Sequence, residues 1–324
     1  MIHLLFLLAA LILDRLVGDP PWLWQRFPHP VVVFGKGIDF FETRLNRPTF
    51  TAIGRRLNGV VSILVLLALA ALGGAALSHL ASALGLFGAV CEILIVAVFL
   101  AQKSLGDHVL AVADGLRSGG LSGGRQAVAM IVGRDPNTLD TSGVCRAAIE
   151  SLSENFADGV VAPVFWYAVA GLPGLLAYKM LNTADSMIGH KNDRFVDFGW
   201  ASARLDDLAN WPAARLSAVL IALAASIRLG ASAGRRSFSA ALRDSGLHRS
   251  PNSGWPEAAM AGALDLQLAG PRIYGGVRVS EPMMHAGGRN DATLVDIHRG
   301  VSVFYVAGSL LTALIGLLAL LSYV

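Results

Sequence analysis

Residues 57–101 read LNGVVSILVLLALAALGGAALSHLASALGLFGAVCEILIVAVFLA, a run with no lysine or arginine and with Glu92 as its only acid. A bilayer core takes roughly 20 apolar residues as a helix. The run therefore accommodates two crossings, over about 59–79 and 88–102, joined by an outside turn near Ser82–Gly88. Gly73, Gly74 and Ala75 allow helices to approach closely there. Glu92 is then either a packed, protonated carboxyl or part of a cavity. The whole chain agrees with this stretch. Its 324 residues are 54% hydrophobic and 15% charged, and a mean hydropathy of +0.56 favours a membrane protein over two soluble domains. A net charge of +3, small and dispersed, gives no footprint for nucleic acid. Cys91 and Cys145 lie in unlike settings and make neither a disulfide framework nor a zinc site, and the eight histidines form no H-x-x-x-H pair.

Toward the N-terminus, the apolar residues 2–13 precede Arg15, whereas a cleaved signal peptide carries its charge before the apolar core. An uncleaved span over about 1–17 is expected. Asp19-Pro20-Pro21 and Pro28-His29-Pro30 then interrupt any helix, and Trp22, Trp24 and Phe27 suit a membrane–water interface. Arg15, Arg26, Lys36, Arg44, Arg47, Arg55 and Arg56 make this loop cytoplasmic by the positive-inside rule. Eight more basic residues do the same for 231–300. Residues 301–323 are a clear span. Segments 159–178, broken by Pro163 and Pro173, and 213–230, bounded by Arg215 and Arg228, must both span or neither. If both spanned, the acidic block 179–212 would lie outside, severed from Glu150 and Glu154. Both are expected to be buried or re-entrant, with polar backbone lining a cavity. The expected fold is an all-α polytopic membrane protein: one integral-membrane domain over 1–324, roughly 4–6 membrane helices, re-entrant or buried segments and long polar cytoplasmic loops.

Chemistry concentrates between Glu150 and Leu216. Glu150, Glu154, Asp158, Asp185, Asp193, Asp197, Asp206 and Asp207 are interleaved there with Lys179, Lys191, Arg194 and Arg204. Carboxylates this close to apolar runs are costly unless a metal, a cation or a water-filled cavity meets them. Asp140, Thr141 and Ser142 are N-cap candidates for a helix starting near Gly143. That helix carries Glu150, Glu154 and Asp158 at i, i+4 and i+8, roughly along one face. Mg²⁺ would turn their repulsion into coordination; a solvated acidic face capped by Asn155 reads equally well. LRSGGLSGGRQ, at 116–126, lacks phosphate-loop spacing and serves as helix punctuation. In SPNSGWPEAAMAGALDLQL, at 250–268, a turn leads into a small-residue helix with Pro256 in its first turn, where Glu257 complements the helix dipole or faces a cavity. Arg272 and Arg278 follow on a glycine-rich loop, as phosphate or carboxylate forks or as ordinary surface arginines.

Taken in order from Leu13 to Gly276, several of these phrases resemble the CobD/CbiB family of cobalamin-biosynthesis membrane proteins, often called adenosylcobinamide-phosphate synthases. They are LDRLVGDP, PHPVVVFGKGI, ESLSENFADGVVAPVFWYA, KMLNTADSMIGHKNDRFVDFGWASARLDDLANWPAARL and SPNSGWPEAAMAGALDLQLAGPRIYGG. His190 stands where an aromatic residue is expected, which puts a general-base role for it in doubt, and Trp211 abuts Pro212 in a shortened segment.

The resemblance implies an amide ligase of the bacterial inner membrane, with its active site facing the cytoplasm. With ATP as co-substrate and Mg²⁺, such an enzyme joins the propionate carboxyl of adenosylcobyric acid to (R)-1-amino-2-propanol O-phosphate or aminopropanol. The product is adenosylcobinamide phosphate or adenosylcobinamide. On that reading Glu150, Glu154, Asp158 and Asp185 hold Mg²⁺ in one pocket. Lys179, Lys191 and Arg194 hold phosphates. Asp206 and Asp207 orient those cations or deprotonate the ammonium. Asn155, Asn182, Asn192 and Asn252 hydrogen-bond corrin amides, and Arg272 contacts substrate. Glu154, Lys191, Asp206 and Asp207 carry the catalysis. Membrane lipid, a second copy or other corrinoid-pathway enzymes are the partners implied; nucleic acid is not. Two rival readings stand beside it. One is an intramembrane Mg²⁺-dependent prenyltransferase, with Asp193-x-x-x-Asp197 and Glu150–Asp158 as acidic clusters. The other is a non-catalytic corrinoid transporter or scaffold.

Overall fold

The computed structural model describes residues 2–133, 135–274, 277–279 and 281–322, with backbone alone for Pro21, 272–274 and 277–279. The apolar runs become helices. In chain order these are α1 (Ile2–Leu16), α2 (Pro21–Trp24), α3 (Pro30–Leu45), α4 (Ala52–Ala83), α5 (Gly85–Phe99), α6 (Gln102–Val128) and α7 (Thr141–Phe156). After a π-helical turn at Ala157–Val161 come α8 (Ala162–Ile188), α9 (Trp200–Leu229), α10 (Ala231–Asp244), α11 (Gly254–Leu264) and α12 (Leu294–Leu321). Their starts follow capping chemistry. Thr51 Oγ1 accepts the Gly54 N–H at 3.1 Å to open α4, and Asp140 Oδ1 accepts the Gly143 N–H at 2.6 Å to open α7. His29 Nδ1 accepts the Val31 N–H at 3.2 Å ahead of Pro30, which occupies the first helical position of α3.

Among the described residues, five helical stretches are long and apolar enough to cross a membrane: 52–83, 85–128, 141–188, 200–229 and 294–321. The fifteen residues of α1 fall short of the ~20 a crossing takes. Two of the five stretches are not straight. In α6, Gly120 adopts φ 58° and ψ −150°, and Gly115 lies backbone to backbone against Gly123. In α8, Gly171 adopts φ 61° and ψ −152°, and Gly174 sits against the carbonyl of Trp166. Residues eight positions apart are about 12 Å apart along a straight helix, so both chains have turned back on themselves. Glycine meets the positive φ at each turn without a Cβ clash. The stretch 159–178 is thus two antiparallel arms that meet at Gly171.

Residues 1–324, expected as one domain, cluster into two compact units: 1–100 with 162–210 and 318–324, and 101–161 with 211–317. In the first, α4 runs along α8. A Cβ on Gly74 would collide with the backbone of Leu172 and Pro173, and one on Gly59 with the carbonyl of Phe198. Small residues at these points are what let the backbones touch. Glu92 is a packed carboxyl: 5% exposed, it accepts the hydroxyl hydrogen of fully buried Tyr167 at 2.7 Å. The loop 189–199 is pinned to α3 and α4. Arg194 donates Nε and an Nη hydrogen to the two oxygens of Glu42 at 2.9 and 2.8 Å, Asn46 donates to the Arg194 carbonyl at 2.9 Å, and Arg55 pairs with Asp197 at 2.7 Å. The Arg194 hydrogen bonds hold the Glu42 carboxyl below its ordinary range.

In the second unit, α6 packs on α7, and α11 packs on both α7 and α10. The alanines of α11 bury nearly all of it, and Gly262 admits the carbonyl of Arg236 from α10. Among the described residues, four short strands follow α11. β1 (Leu268–Ala269) pairs antiparallel with β4 (Met283–Met284), and β2 (Arg272–Tyr274) with β3 (Val277–Val279).

Candidate functional site

The outgoing arm of α8 presents Lys179, Asn182, Thr183 and Ser186 at i, i+3, i+4 and i+7, which brings them to one helix face. Opposite them, α3 presents Val31, Val32, Gly35, Lys36 and Asp39. Together with Met187 these residues line an open cavity of about 480 Å³. That is within the usual span for small-ligand sites. Gly35 keeps the walls close, since a Cβ there would already touch Met187. Beside the cavity His29 is held neutral, chiefly because burial lowers its pKa, and the charges of Asp19 and Lys179 act on it in opposite senses.

A buried polar chain leads inward from Asn182. Its Nδ2 reaches Asp206 Oδ1 at a long 3.5 Å, Asn210 Nδ2 donates to Asp206 Oδ2 at 2.9 Å, and the Tyr178 hydroxyl donates to Asn210 Oδ1 at 2.8 Å. Asp206, Asn210 and Tyr178 are 8%, 1% and 3% exposed. Partners on both oxygens are what a buried carboxylate requires. The like charges of Asp185 and Asp207 also bear on Asp206. Five expected residues thus gather in one unit: Lys179, Asn182, Asp185, Asp206 and Asp207.

Others in the same unit serve the loop instead. Arg194, expected on a phosphate, is occupied by Glu42. Asn192, expected on a corrin amide, accepts the N–H groups of Arg194 and Phe195 at 3.1 and 2.9 Å, an Asx turn. Asp197 is taken by Arg55, which makes it an anchor for the loop. Lys191 and His190 are exposed on that loop.

Glu150, Glu154 and Asp158 belong to the other unit. They do not form the expected triad. Glu150 accepts the Ala269 N–H at 2.9 Å, and Glu154 accepts the Ser253 hydroxyl at 2.9 Å. The α-helical register ends at Phe156, so Asp158 lies in the π turn, past the repeat that i, i+4, i+8 assumes. Among the described residues no group of three or more His, Cys, Asp or Glu side chains is placed to hold a metal ion. Asn252 Oδ1 accepts an Nη hydrogen from Arg215 at 2.7 Å, and that guanidinium lies 4.7 and 4.9 Å from the Trp211 and Trp255 rings. Glu257 is 1% exposed and 3.6 Å from His248, a packed pair beyond simple dipole complementarity. The side chains of Arg272 and Arg278 lie outside the described residues. Asn155 donates to the Ser151 carbonyl at 2.9 Å and helps line a second cavity of about 480 Å³ with Ser104, His108, Met130 and Ser151. None of its lining side chains is a lysine, arginine or carboxylate.

Lys36 and Asp39 carried no expected role. Their signal was present, a lysine and an aspartate one turn apart in GKGID, but such a pair is common on any exposed helix.

A chain with five membrane-length helical stretches and a charged cavity of small-molecule size is an all-α, multi-pass membrane protein with a polar site. Residues 7–304 match the family model described as CobD/Cbib protein. The chain is 65% identical over 318 residues, 98% of each chain, to "Cobalamin biosynthesis protein CobD" of Sinorhizobium sp. The protein of that name from Rhizobium meliloti is also 65% identical, over 95% of this chain and 94% of its own. The one from Rhodobacter capsulatus is 46% identical over 97% of each. The chain belongs to the CobD/CbiB family. No solved structure matches it.

Proposed function

We propose that this protein acts in cobalamin biosynthesis as an ATP- and Mg²⁺-dependent amide ligase of the bacterial inner membrane. It joins the propionate carboxyl of adenosylcobyric acid to the amine of (R)-1-amino-2-propanol O-phosphate, or of aminopropanol. The observation that carries this reading is a family match extending over residues 7–304, with relatives named for cobalamin biosynthesis aligned along nearly their whole length.

The chemistry divides into two displacements. A carboxylate oxygen of the corrinoid attacks the terminal phosphorus of ATP and ADP leaves, giving an acyl phosphate. The amine nitrogen then attacks the acyl carbon, inorganic phosphate leaves, and the nitrogen's proton passes to a base. Such phosphoryl transfer needs positioning and charge neutralisation more than covalent help. Mg²⁺ is usually held by one or two carboxylates together with waters and substrate phosphates. Asp185 and Asp206, whose charges already bear on one another, are assigned that role because they share a unit with Lys179 and Asn182, which Glu150 and Glu154 do not. Bound Mg²⁺ supplies neutralisation of phosphate charge. Lys179 steadies an anionic group, Asn182 orients Asp206, and half-buried Asp207 takes the ammonium proton. The basic residues on and beside α3 favour the cytoplasmic side for this cavity.

The test is direct. Purified protein in lipid nanodiscs, given adenosylcobyric acid, the amine, ATP and Mg²⁺, should form the amide, and omission of ATP or Mg²⁺ should stop it. No amide with all components present, alongside consumption of isoprenyl diphosphate and an aromatic acceptor, would transfer the assignment to the prenyltransferase. Corrinoid binding without any turnover would leave a carrier.

A further inference from the structure

We propose that α10 and the part of α9 beside it form an interfacial hairpin. It lies in the plane of the membrane surface with one apolar face among the acyl chains, and Arg228 and Arg235 hold the headgroups of anionic phospholipids. Composition singles out the segment. Between Asp207 and Asp244 there is no acidic residue, while Arg215, Arg228, Arg235, Arg236 and Arg243 stand among alanines and larger apolar residues. Arginine beside exposed apolar surface is what an anionic leaflet attracts.

The chain turns at Gly230, whose φ of 99° suits glycine. A Cβ on Gly234 would collide with Ser226 Oγ and the Ala222 carbonyl. Past the far end of α10, Arg215 donates to Asn252 Oδ1 and to the Pro251 carbonyl at 2.7 and 3.3 Å. From Arg215 to Asp244 the two helices are therefore antiparallel neighbours. Val219, Leu223 and Ile227 of α9 and Phe238 and Leu242 of α10 form rows at i, i+4 spacing, each side chain between 41% and 62% exposed. Leu223 and Ile227 come one residue after the contact residues Ala222 and Ser226, and Arg235 one residue after Gly234. A step of about 100° per residue, taken in helices of opposite direction, puts both rows on the same side of the hairpin. Length and charge then decide between crossing the membrane and lying on it. The 14 residues of α10 reach about 21 Å, short of the ~30 Å hydrocarbon core. Stood upright, the hairpin would carry Arg235, Arg236, Arg243 and Asp244 into the hydrocarbon, which is costly. Laid flat, its arginine heads stay at headgroup level while the apolar row is buried, and exposed Trp211 suits the same depth. Arg228 and Arg235 are exposed on either side of the turn, and neither has a carboxylate partner among the described residues. Arg228 spends its Nε on Ser302 Oγ at 2.7 Å, which leaves its two terminal nitrogens to pair with a phosphodiester.

Depth and lipid preference test this together. Full-length protein with Cys91→Ser and Cys145→Ala carries a nitroxide at Val219→Cys, Leu223→Cys, Ile227→Cys or Leu242→Cys, in nanodiscs of phosphatidylcholine and phosphatidylglycerol. Accessibility to oxygen and to a water-soluble nickel complex reports the depth of each label. All four should sit at one shallow depth, open to oxygen and closed to nickel. Depth that changes steadily from 219 to 227 means that α9 crosses the bilayer here, and overturns the proposal. So does free access of nickel, which leaves the face in water, or exclusion of both reagents, which means that another protein or a second copy covers it. Lipid preference is read on protein with its native cysteines, by native mass spectrometry of the lipids retained on extraction. The wild type should retain phosphatidylglycerol over phosphatidylcholine. Arg228→Gln and Arg235→Gln should each lower that preference about 5-fold, the worth of one basic residue at an anionic surface, and lysine at both positions should keep most of it. Equal retention by the wild type and the double glutamine variant overturns the assignment of the arginines. Neither readout requires amide formation, so the ligase reading and this one fail separately.

Discussion

Two cavities of this molecule have the same volume, about 480 Å³, and opposite linings. The one walled by α3 and α8 carries Lys36, Asp39 and Lys179, and leads through Asn182 to a buried carboxylate. The one lined by α6, the segment after it and α7 has no lysine, arginine or carboxylate, and offers polar groups such as Ser104, His108, Ser151 and Asn155. Size alone therefore ranks neither. Charge ranks them, because only the first offers lysine and carboxylate side chains with which a charged ligand can pair. No lysine or arginine stands in that second cavity to meet a phosphate.

The comparison breaks most easily at the walls of the charged unit. Gly74→Leu would drive a side chain into the backbone of Leu172 and Pro173, so folded protein recovered from membranes should fall to near zero. A well-folded, active variant would mean that the packing of α4 on α8 is not what shapes the cavity. The next effect is at Asp206. Asp206→Asn keeps the shape, and amide formation should drop at least about 100-fold, as expected for removing a charge at the reacting site. Asp206→Ala adds a stability cost of about 1–3 kcal/mol by stranding the Asn210 amide, read as a lower melting temperature. Smaller again is the contrast between the cavities themselves. Lys36→Gln should raise the amine KM about 10-fold, and His108→Ala in the second cavity should leave it within about 2-fold. A larger response from His108 would reverse the ranking.

The smallest effect concerns the loop that closes the charged unit. Glu42 has a folded pKa below its ordinary value of 4.5, set mainly by hydrogen bonds from Arg194. A carboxyl with a depressed pKa contributes stability above its unfolded value and loses that contribution as pH falls through the folded one. Loop 189–199 should therefore stay protected from protease at pH 7 and become cleavable only on acidification below about pH 4.5. Arg194 is exposed, so the gain at neutral pH is small. Glu42→Gln should show the acid-like cleavage pattern at pH 7.

Much of the fold is legible in the sequence because lipid imposes composition. A run such as 57–101, without a basic residue, has few other uses. The turn at Gly171 is less legible. Pro163, Pro173 and the glycines announce an interruption, but not that the chain reverses there. The site divides the same way. Lys179, Asn182, Asp185, Asp206 and Asp207 stand out as polar residues at helical spacing beside apolar ones. Glu150, Glu154 and Asp158 mislead because a common helix face does not say what lies opposite: Glu150 meets a backbone N–H from Ala269, which no local pattern announces. Arg194 looks like a phosphate ligand for the same reason, since Glu42 lies far from it along the chain.

The most direct measurement follows an oxygen atom. Adenosylcobyric acid labelled with ¹⁸O in its propionate carboxyl is turned over with ATP, Mg²⁺ and the amino phosphate, and the inorganic phosphate released is weighed by mass spectrometry. A carboxylate activated by phosphoryl transfer gives up one labelled oxygen to that phosphate with each amide formed. Amide formed while the label stays out of phosphate, or labelled phosphate released without the amine being consumed, contradicts the account.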